Sequence, residues 1–517
     1  MSPDKLWVRL QPPHTTHCHN RHALRAVRSE SFGGALCFFH CFDVDRRLHF
    51  DKPISPTRFQ IGGPILGQSS IATRSLYAES VNPQWVRLLD LLDMNVRYER
   101  CQGAELIAED GTRYVDFLSG YCVHNTGHNH PYVIEALKQE LDRLGPAMLQ
   151  SHVPELAGEL AQRLCVLAGG GLTKAFFCSS GSEGVEAAIK FGRATTKRAG
   201  LLYCEGAFHG LTCGALSLMN NPFWSEGFGP LLADTSAIPF DDLAALEDQL
   251  KTRKYAAFFM EPVQSEGGIR VPAPQYLKDA QELCRQYGTL LVLDEVQTGM
   301  FRTGPFLAAH HFGVQPDVVV LAKALSGGLV PVGAVLMTEE VNEAVYSSLQ
   351  RALVHTSTFS ENALAMRAGL ATLDVLEKER LGDRATELGN LLLEGLNAAL
   401  TPYEMFAGTR GLGLLSGIEF RAPKRLGLRM SFEAFRAIHP AMFGQMLVMR
   451  LFRNEKILTQ MCGNSFMVLK TAPPLVASEE QIRAFVGSAE RVVSDMHNSG
   501  AFWSESLALA RRALHIG

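Results

Sequence analysis

Val292-Leu293-Asp294-Glu295-Val296-Gln297-Thr298-Gly299 and, downstream, Val318-Val319-Val320-Leu321-Ala322-Lys323-Ala324-Leu325-Ser326-Gly327-Gly328 each set an ionisable side chain at the end of an unbroken apolar run. Runs so short and so apolar read as strands buried on both faces, the form strands take in a parallel sheet wrapped by helices. The pattern repeats outward. Ala175-Phe176-Phe177-Cys178, Leu201-Leu202-Tyr203, Ala256-Ala257-Phe258-Phe259 and Gly333-Ala334-Val335-Leu336 are further such runs, separated between about residues 154 and 338 by stretches of helical period. Strands alternating with helices predict an α/β fold with a mainly parallel sheet.

The chain of 517 residues is long enough for two or three units. Residues 146–395 are expected to form the large domain. A helix and then a hairpin turning at Glu109-Asp110-Gly111 open a small α+β lobe over 76–145. A long helical segment over 362–400, ended by Pro402, leads to a second α+β part over 396–517, so the small domain draws on both chain ends. Residues 408–417 read as a turn and strand. Hydrophobic residues at 46% and charged residues at 20% describe a soluble globular chain. A net charge of −4 from mixed signs gives no field to gather nucleic acid. No apolar run approaches the length that spans a bilayer, and eleven scattered cysteines fit reduced thiols in a cytoplasm. Residues 1–75, basic and carrying His14, Cys18, Cys37 and Cys41, admit a metal site, a transit peptide or a poorly ordered extension. The last is preferred, because ligand spacing and amphipathic repeat are both poor.

Ligands of open α/β sheets sit at the carboxyl ends of the strands, and four ends carry polar residues. Ser179-Ser180-Gly181-Ser182 opens a helix and offers N–H groups, hydroxyls and a helix dipole to an anion, although serine is also a common helix cap. Asp294 at a strand end needs a cationic partner, since a buried lone carboxylate costs several kcal/mol. Lys323 ends another buried strand; alone, it would read as a surface lysine. Phe208-His209 offers an aromatic ring to a flat ligand, as a core phenylalanine would. An anion cradle, a buried acid, an amine and an aromatic floor together are what pyridoxal 5'-phosphate requires.

These residues carry a resemblance to the class III aminotransferases of the fold-type-I pyridoxal-phosphate enzymes, the ornithine, acetylornithine and putrescine aminotransferases among them. It covers roughly residues 97–475, and its most specific part runs from Asp294 through Gln297-Thr298-Gly299, Arg302-Thr303-Gly304 and Pro316-Asp317 to Lys323. The resemblance implies that Lys323 carries the cofactor as a Schiff base and shuttles the proton. It likewise implies that Asp294 pairs with the ring nitrogen and Gln297 touches the phenolic oxygen. Ser180, Gly181 and Ser182 become the phosphate loop, Phe208 the stacking ring and His209 its companion. Thr358, in His355-Thr356-Ser357-Thr358-Phe359-Ser360-Glu361-Asn362, corresponds to a threonine that reaches the phosphate of a neighbouring subunit, which implies a homodimer. Thr356, Ser360 and Glu361 stand there in place of glycines.

For substrate, Glu266 in Glu261-Pro262-Val263-Gln264-Ser265-Glu266 matches an acid that gates a carboxylate-binding arginine in the family. That arginine is Lys470 here, in Lys470-Thr471-Ala472-Pro473-Pro474-Leu475, and lysine lacks the two-point grip of a guanidinium. Tyr121 resembles a donor-contacting tyrosine of ornithine aminotransferase, and reads equally as a core tyrosine. The resemblance implies transfer from a terminal-amine donor to a 2-oxo acid such as 2-oxoglutarate. A decarboxylase, an aminomutase or an aminotransferase of a bulky secondary-metabolite aldehyde would use the same Lys323 and Asp294. A serine hydrolase is a remote reading: Ser180-Gly181-Ser182-Glu183-Gly184 lacks the first glycine of the nucleophile elbow. A dinucleotide site at Gly411-Leu412-Gly413 fails on its third glycine.

Overall fold

A computed structural model describes residues 76–149, 151–498, 500 and 502–504. The histidine- and cysteine-bearing stretch over 1–75 lies outside the described residues.

The apolar runs form a seven-stranded sheet. Its strands are β1 (Leu172–Cys178), β2 (Gly200–Cys204), β3 (Thr235–Ile238), β4 (Tyr255–Met260), β5 (Leu290–Asp294), β6 (Val318–Leu321) and β7 (Gly333–Thr338). They lie in the order β1-β7-β6-β5-β4-β2-β3. Every residue of β2, β4 and β6 is buried, as a sheet covered on both faces demands. Neighbouring strands from β6 to β3 are parallel, whereas β7 runs antiparallel to both β6 and β1. The reason lies in the connection: residues 322–332 hold only a single 3-10 turn at Lys323–Ser326, too little chain for the helical crossover that a parallel partner needs. Strand β3 was not legible in the sequence, because an edge strand reading Thr-Ser-Ala-Ile is half polar and only its last residue is buried.

Helix α1 (Gly181–Thr196) lies so close on the sheet that a Cβ on Gly184 would sit 2.6 Å from Val320 Cγ1. The long helical segment is two helices, α2 (Ala363–Lys378) and α3 (Leu381–Leu400). The break falls at Arg380, which has φ 50° and pairs with Asp383, a left-handed residue that no glycine or proline announces.

Two smaller sheets flank these elements. Tyr98–Gln102, Glu105–Ala108 and Arg113–Asp116 form an antiparallel set that Ile457–Leu458 joins in parallel, so both chain ends build one sheet. Phe406–Leu412, Leu415–Phe420, Ser465–Thr471 and Gln460–Cys462 form the other. No helix among the described residues is long and apolar enough to cross a membrane.

Overpacking a tight helix–sheet contact costs about 1–3 kcal/mol, and so Gly184→Ala is expected to lower stability in urea denaturation by that amount. Gly158→Ala, in a helix with open space around it, is expected to be neutral or stabilising by about 0.5–1 kcal/mol.

Candidate active site

A cavity of about 510 Å³ opens at the carboxyl ends of β1, β2, β4, β5 and β6, and among its lining residues are Ser180, Phe208, Glu261, Asp294, Gln297 and Lys323. The five loops that follow these strands bring together residues from across more than a hundred positions of sequence.

At one end, Asp294 is buried at the tip of β5. Its Oδ2 lies 2.8 Å from His209 Nδ1, and its Oδ1 accepts the Val296 N–H at 3.0 Å. Burial disfavours a charged imidazole, yet the hydrogen bond to Asp294 and the negative charges of Asp294 and Glu261 outweigh it, so His209 titrates above its ordinary value. His209 is thereby biased towards its protonated form against Asp294, while its Nε2 is buried without a hydrogen-bond partner. Phe208, next to it, is half-buried and meets the edge of Trp224 with ring centroids 5.3 Å apart.

Lys323 follows β6 and stands in the left-handed region with φ 46°, a conformation that a non-glycine residue adopts at a cost of about 1–3 kcal/mol. The strain turns the chain from the strand into the 3-10 turn, at the point where the lysine borders the cavity. Burial, with help from Lys470, holds its amine below the ordinary lysine range against the opposing pull of Asp294 and Glu266. A lowered value raises the fraction of neutral, nucleophilic amine.

On the third side, Ser180 caps α1 by accepting the Glu183 N–H at 3.2 Å, and Glu183 returns a bond to the Ser179 N–H at 2.8 Å. The Gly181 and Ser182 N–H groups lie in the first turn, where a helix offers them no internal acceptor, so they are free for an anion. Ser182 Oγ is itself anchored to Thr212, 2.7 Å from its Oγ1 and 3.1 Å from its N–H. Gly210 packs against it, and a Cβ there would fall 2.4 Å from Ser182 Oγ. The cradle is thus closed from behind and open towards the cavity.

Glu266, Lys470 and Tyr121 form a second cluster beside this one. Lys470 is 0% exposed; its ammonium pairs with Glu266 Oε1 and lies 4.8 Å from the centre of the Tyr121 ring. Burial opposes both charges, yet each stabilises the other: Glu266 titrates below and Lys470 above its ordinary value. Glu266 Oε2 accepts the Gly463 N–H at 2.8 Å, and Gln297 Nε2 donates to Oε1 at 3.3 Å, which links the pair to the cavity wall. Of the three, none borders the cavity itself. Tyr121 is 40% exposed, so it is not the core tyrosine that its sequence also allowed. It stands in a run of four left-handed residues, Ser119, Gly120, Tyr121 and Cys122. Arg302, fully buried, holds that turn through Ser119 Oγ at 3.1 Å and Asn125 Oδ1. Thr358 is exposed and outside this cavity.

Several site residues escaped the reading of the sequence. Glu261 directly follows β4, much as Asp294 ends β5, which was the available signal. Trp224 and Asn464 had none: Asn464 Oδ1 accepts the Trp224 indole N–H at 2.9 Å, and its Nδ2 donates to Gly206 O at 3.0 Å, fixing the Phe208 loop from a distant strand turn.

The arrangement fits pyridoxal phosphate. Gln297 Oε1 and His209 Nε2 are buried polar atoms lacking partners, the cradle suits a phosphate, and Asp294 and Lys323 border one cavity. The fold and this donor set define a fold-type-I pyridoxal-phosphate enzyme. The profile of the family described as aminotransferase class-III matches residues 91–493, and the chain belongs to that family. It is similar to the aminotransferase PigE of a Serratia species, 35% identical over 455 residues that make up 82% of this chain and 53% of the relative, so it spans about half that relative's length. It is also 35% identical over 439 residues to a putrescine aminotransferase of Pectobacterium atrosepticum, covering 82% of this chain and 89% of that one. Among solved structures, an ornithine aminotransferase from Toxoplasma gondii superposes with a TM-score of 0.71 at 30% identity, over 83% of this chain and 99% of that one.

Removing one member of a buried ion pair costs about 3–5 kcal/mol, and replacing both by apolar groups costs far less. Glu266→Met and Lys470→Met are therefore each expected to lower the urea midpoint strongly, and the double variant to recover most of the loss. Because Glu266 is depressed, the pair's contribution is full above the ordinary glutamate range and is lost below it, as pH falls through Glu266's own lowered value.

Proposed function

We propose that this chain transfers the amino group of a terminal-amine donor, of the putrescine, ornithine or acetylornithine kind, to a 2-oxo acid such as 2-oxoglutarate. The observation that carries the reading is one cavity bordered both by a lysine with a lowered pKa and by a histidine-backed carboxylate. When bound, pyridoxal phosphate supplies an aldehyde to take up the amino group and a protonated ring to draw electrons from the neighbouring carbon.

The chain's own residues do the rest. Asp294, with the charge of His209 behind it, holds the proton on the ring nitrogen. Phe208 covers one face of the ring, and Gln297 touches the phenolic oxygen. The N–H groups of Gly181 and Ser182, with the Ser180 and Ser182 hydroxyls, hold the phosphate. Lys323 Nζ removes the proton from the carbon that bears the amine and returns it one position away, a role suited to a neutral amine beside carboxylates. Tyr121 lies over the Lys470–Glu266 pair on the substrate side, and an acceptor carboxylate reaches Lys470 only if Glu266 releases it. The names of the putrescine and ornithine aminotransferase relatives support the donor class. The exposure of Thr358 outside its own cavity supports a homodimer in which it serves the partner's site. Described cysteines that are all free thiols support a reducing cytoplasm.

Lys323→Ala is expected to abolish amino transfer and the visible absorbance of the bound cofactor. Asp294→Asn should keep the cofactor and lose about 10²-fold or more in kcat/KM. A donor screen is expected to rank diamines and ornithine above α-amino acids that lack a second amine; the opposite ranking would count against the donor class.

A further inference from the structure

Glu261 is a buried acid on the cavity wall that the transfer step described above does not use. Its Oε1 accepts the Phe208 N–H at 3.0 Å and its Oε2 accepts the Ser265 N–H at 3.1 Å, so both oxygens are held by backbone and neither by a cationic side chain. A comparison separates it from an ordinary structural acid. Glu295, equally buried, is spent on Thr298 and the Ala308 and Ala309 N–H groups and does not border the cavity.

We propose that Glu261 is a positioning residue for the cofactor ring: it fixes the loop bearing Phe208 and His209, and its charge strengthens the hold of the His209–Asp294 pair on a cationic ring nitrogen. This rests on the cofactor seat proposed above. The titratable groups facing Glu261 are His209 on the 206–212 loop, Asp294 at the end of β5 and Cys204 at the end of β2. Burial pushes the Cys204 thiol up, so it is neutral. Two carboxylates then face one imidazolium, and a protonated ring supplies the second positive charge. With Glu261 neutral, Asp294 and His209 already balance, and the ring cation gains less.

Burial and the nearby Asp294 push Glu261 up to about 7 against the pull of His209 and its two N–H donors. The sign follows: Glu261 is ionised above that value and favours the ring cation, and this advantage is lost as pH falls through it. By reciprocity, the bound ring pulls Glu261 down.

The test is the dissociation constant of pyridoxal phosphate from the full-length apoprotein, measured by fluorescence quenching from about pH 6 to 8.5 for wild type and Glu261→Gln. The ligand's own titrations cancel in the ratio of the two constants. Glu261→Gln is expected to bind more weakly than wild type by a ratio that grows about fivefold or more across this range. A ratio that stays flat, including uniform weakening at every pH, overturns the charge role. Should Glu261→Gln not fold, Glu261→Met is measured in the same ratio to wild type, with the same growth expected and a flat ratio overturning the proposal. Wild-type protein that binds no pyridoxal phosphate at any pH would overturn the cofactor seat itself, a result distinct from normal binding with a flat ratio.

Discussion

A carboxylate buried at the end of a central strand is the constraint around which this molecule is organised. A carboxylate buried there needs partners for its oxygens, and the structure gives Asp294 the His209 ring at 2.8 Å and one backbone N–H. The imidazole has a single further nitrogen, and that one has no partner. The acid is therefore held at a fixed point, and a ligand that brings its own cation completes it. The sheet exists to keep that point fixed. With β4 and β6 fully buried on either side of β5, the strand tips cannot move independently, and Glu261, Asp294 and Lys323 inherit their spacing.

Around this rigid core lie strained and charged parts. A turn of four left-handed residues carries Tyr121, at a cost of about 1–3 kcal/mol for each non-glycine member. A fully buried arginine holds it. The Lys470–Glu266 pair is likewise costly to desolvate and valuable only while both partners are present. Such features persist where function requires them. Gln297 joins the charged pair to the cavity, through its bond to Glu266 and its place on the cavity wall.

What could be read from the sequence followed from burial. Strands covered on both faces leave unbroken apolar text, so β1, β2 and β4 to β7 were legible, and the polar residues after them pointed to the site. The half-polar edge strand β3 left no such mark, nor did the antiparallel sense of β7, which depends on the length of a loop. The break at Arg380 was invisible because an arginine took the left-handed conformation usually left to glycine. Residues joined to the site only through space were also lost: nothing in the text links Asn464 to the Phe208 loop, or Arg302 to Ser119, 183 positions earlier. The clearest lesson concerns Lys470. Its substitution for arginine was visible, while its complete burial beneath Tyr121 and its pairing with Glu266 were not.

The central claim is that Lys323 and Asp294 serve one cofactor from opposite sides of one cavity. Hydride reduction of the pyridoxal-phosphate-loaded protein, followed by peptide mass mapping, tests it most directly, because reduction fixes the cofactor to the amine that holds it. One pyridoxyl group per chain on Lys323 is the result this account requires. Label on any other lysine, or none at Lys323 in protein that has bound the cofactor, would contradict it.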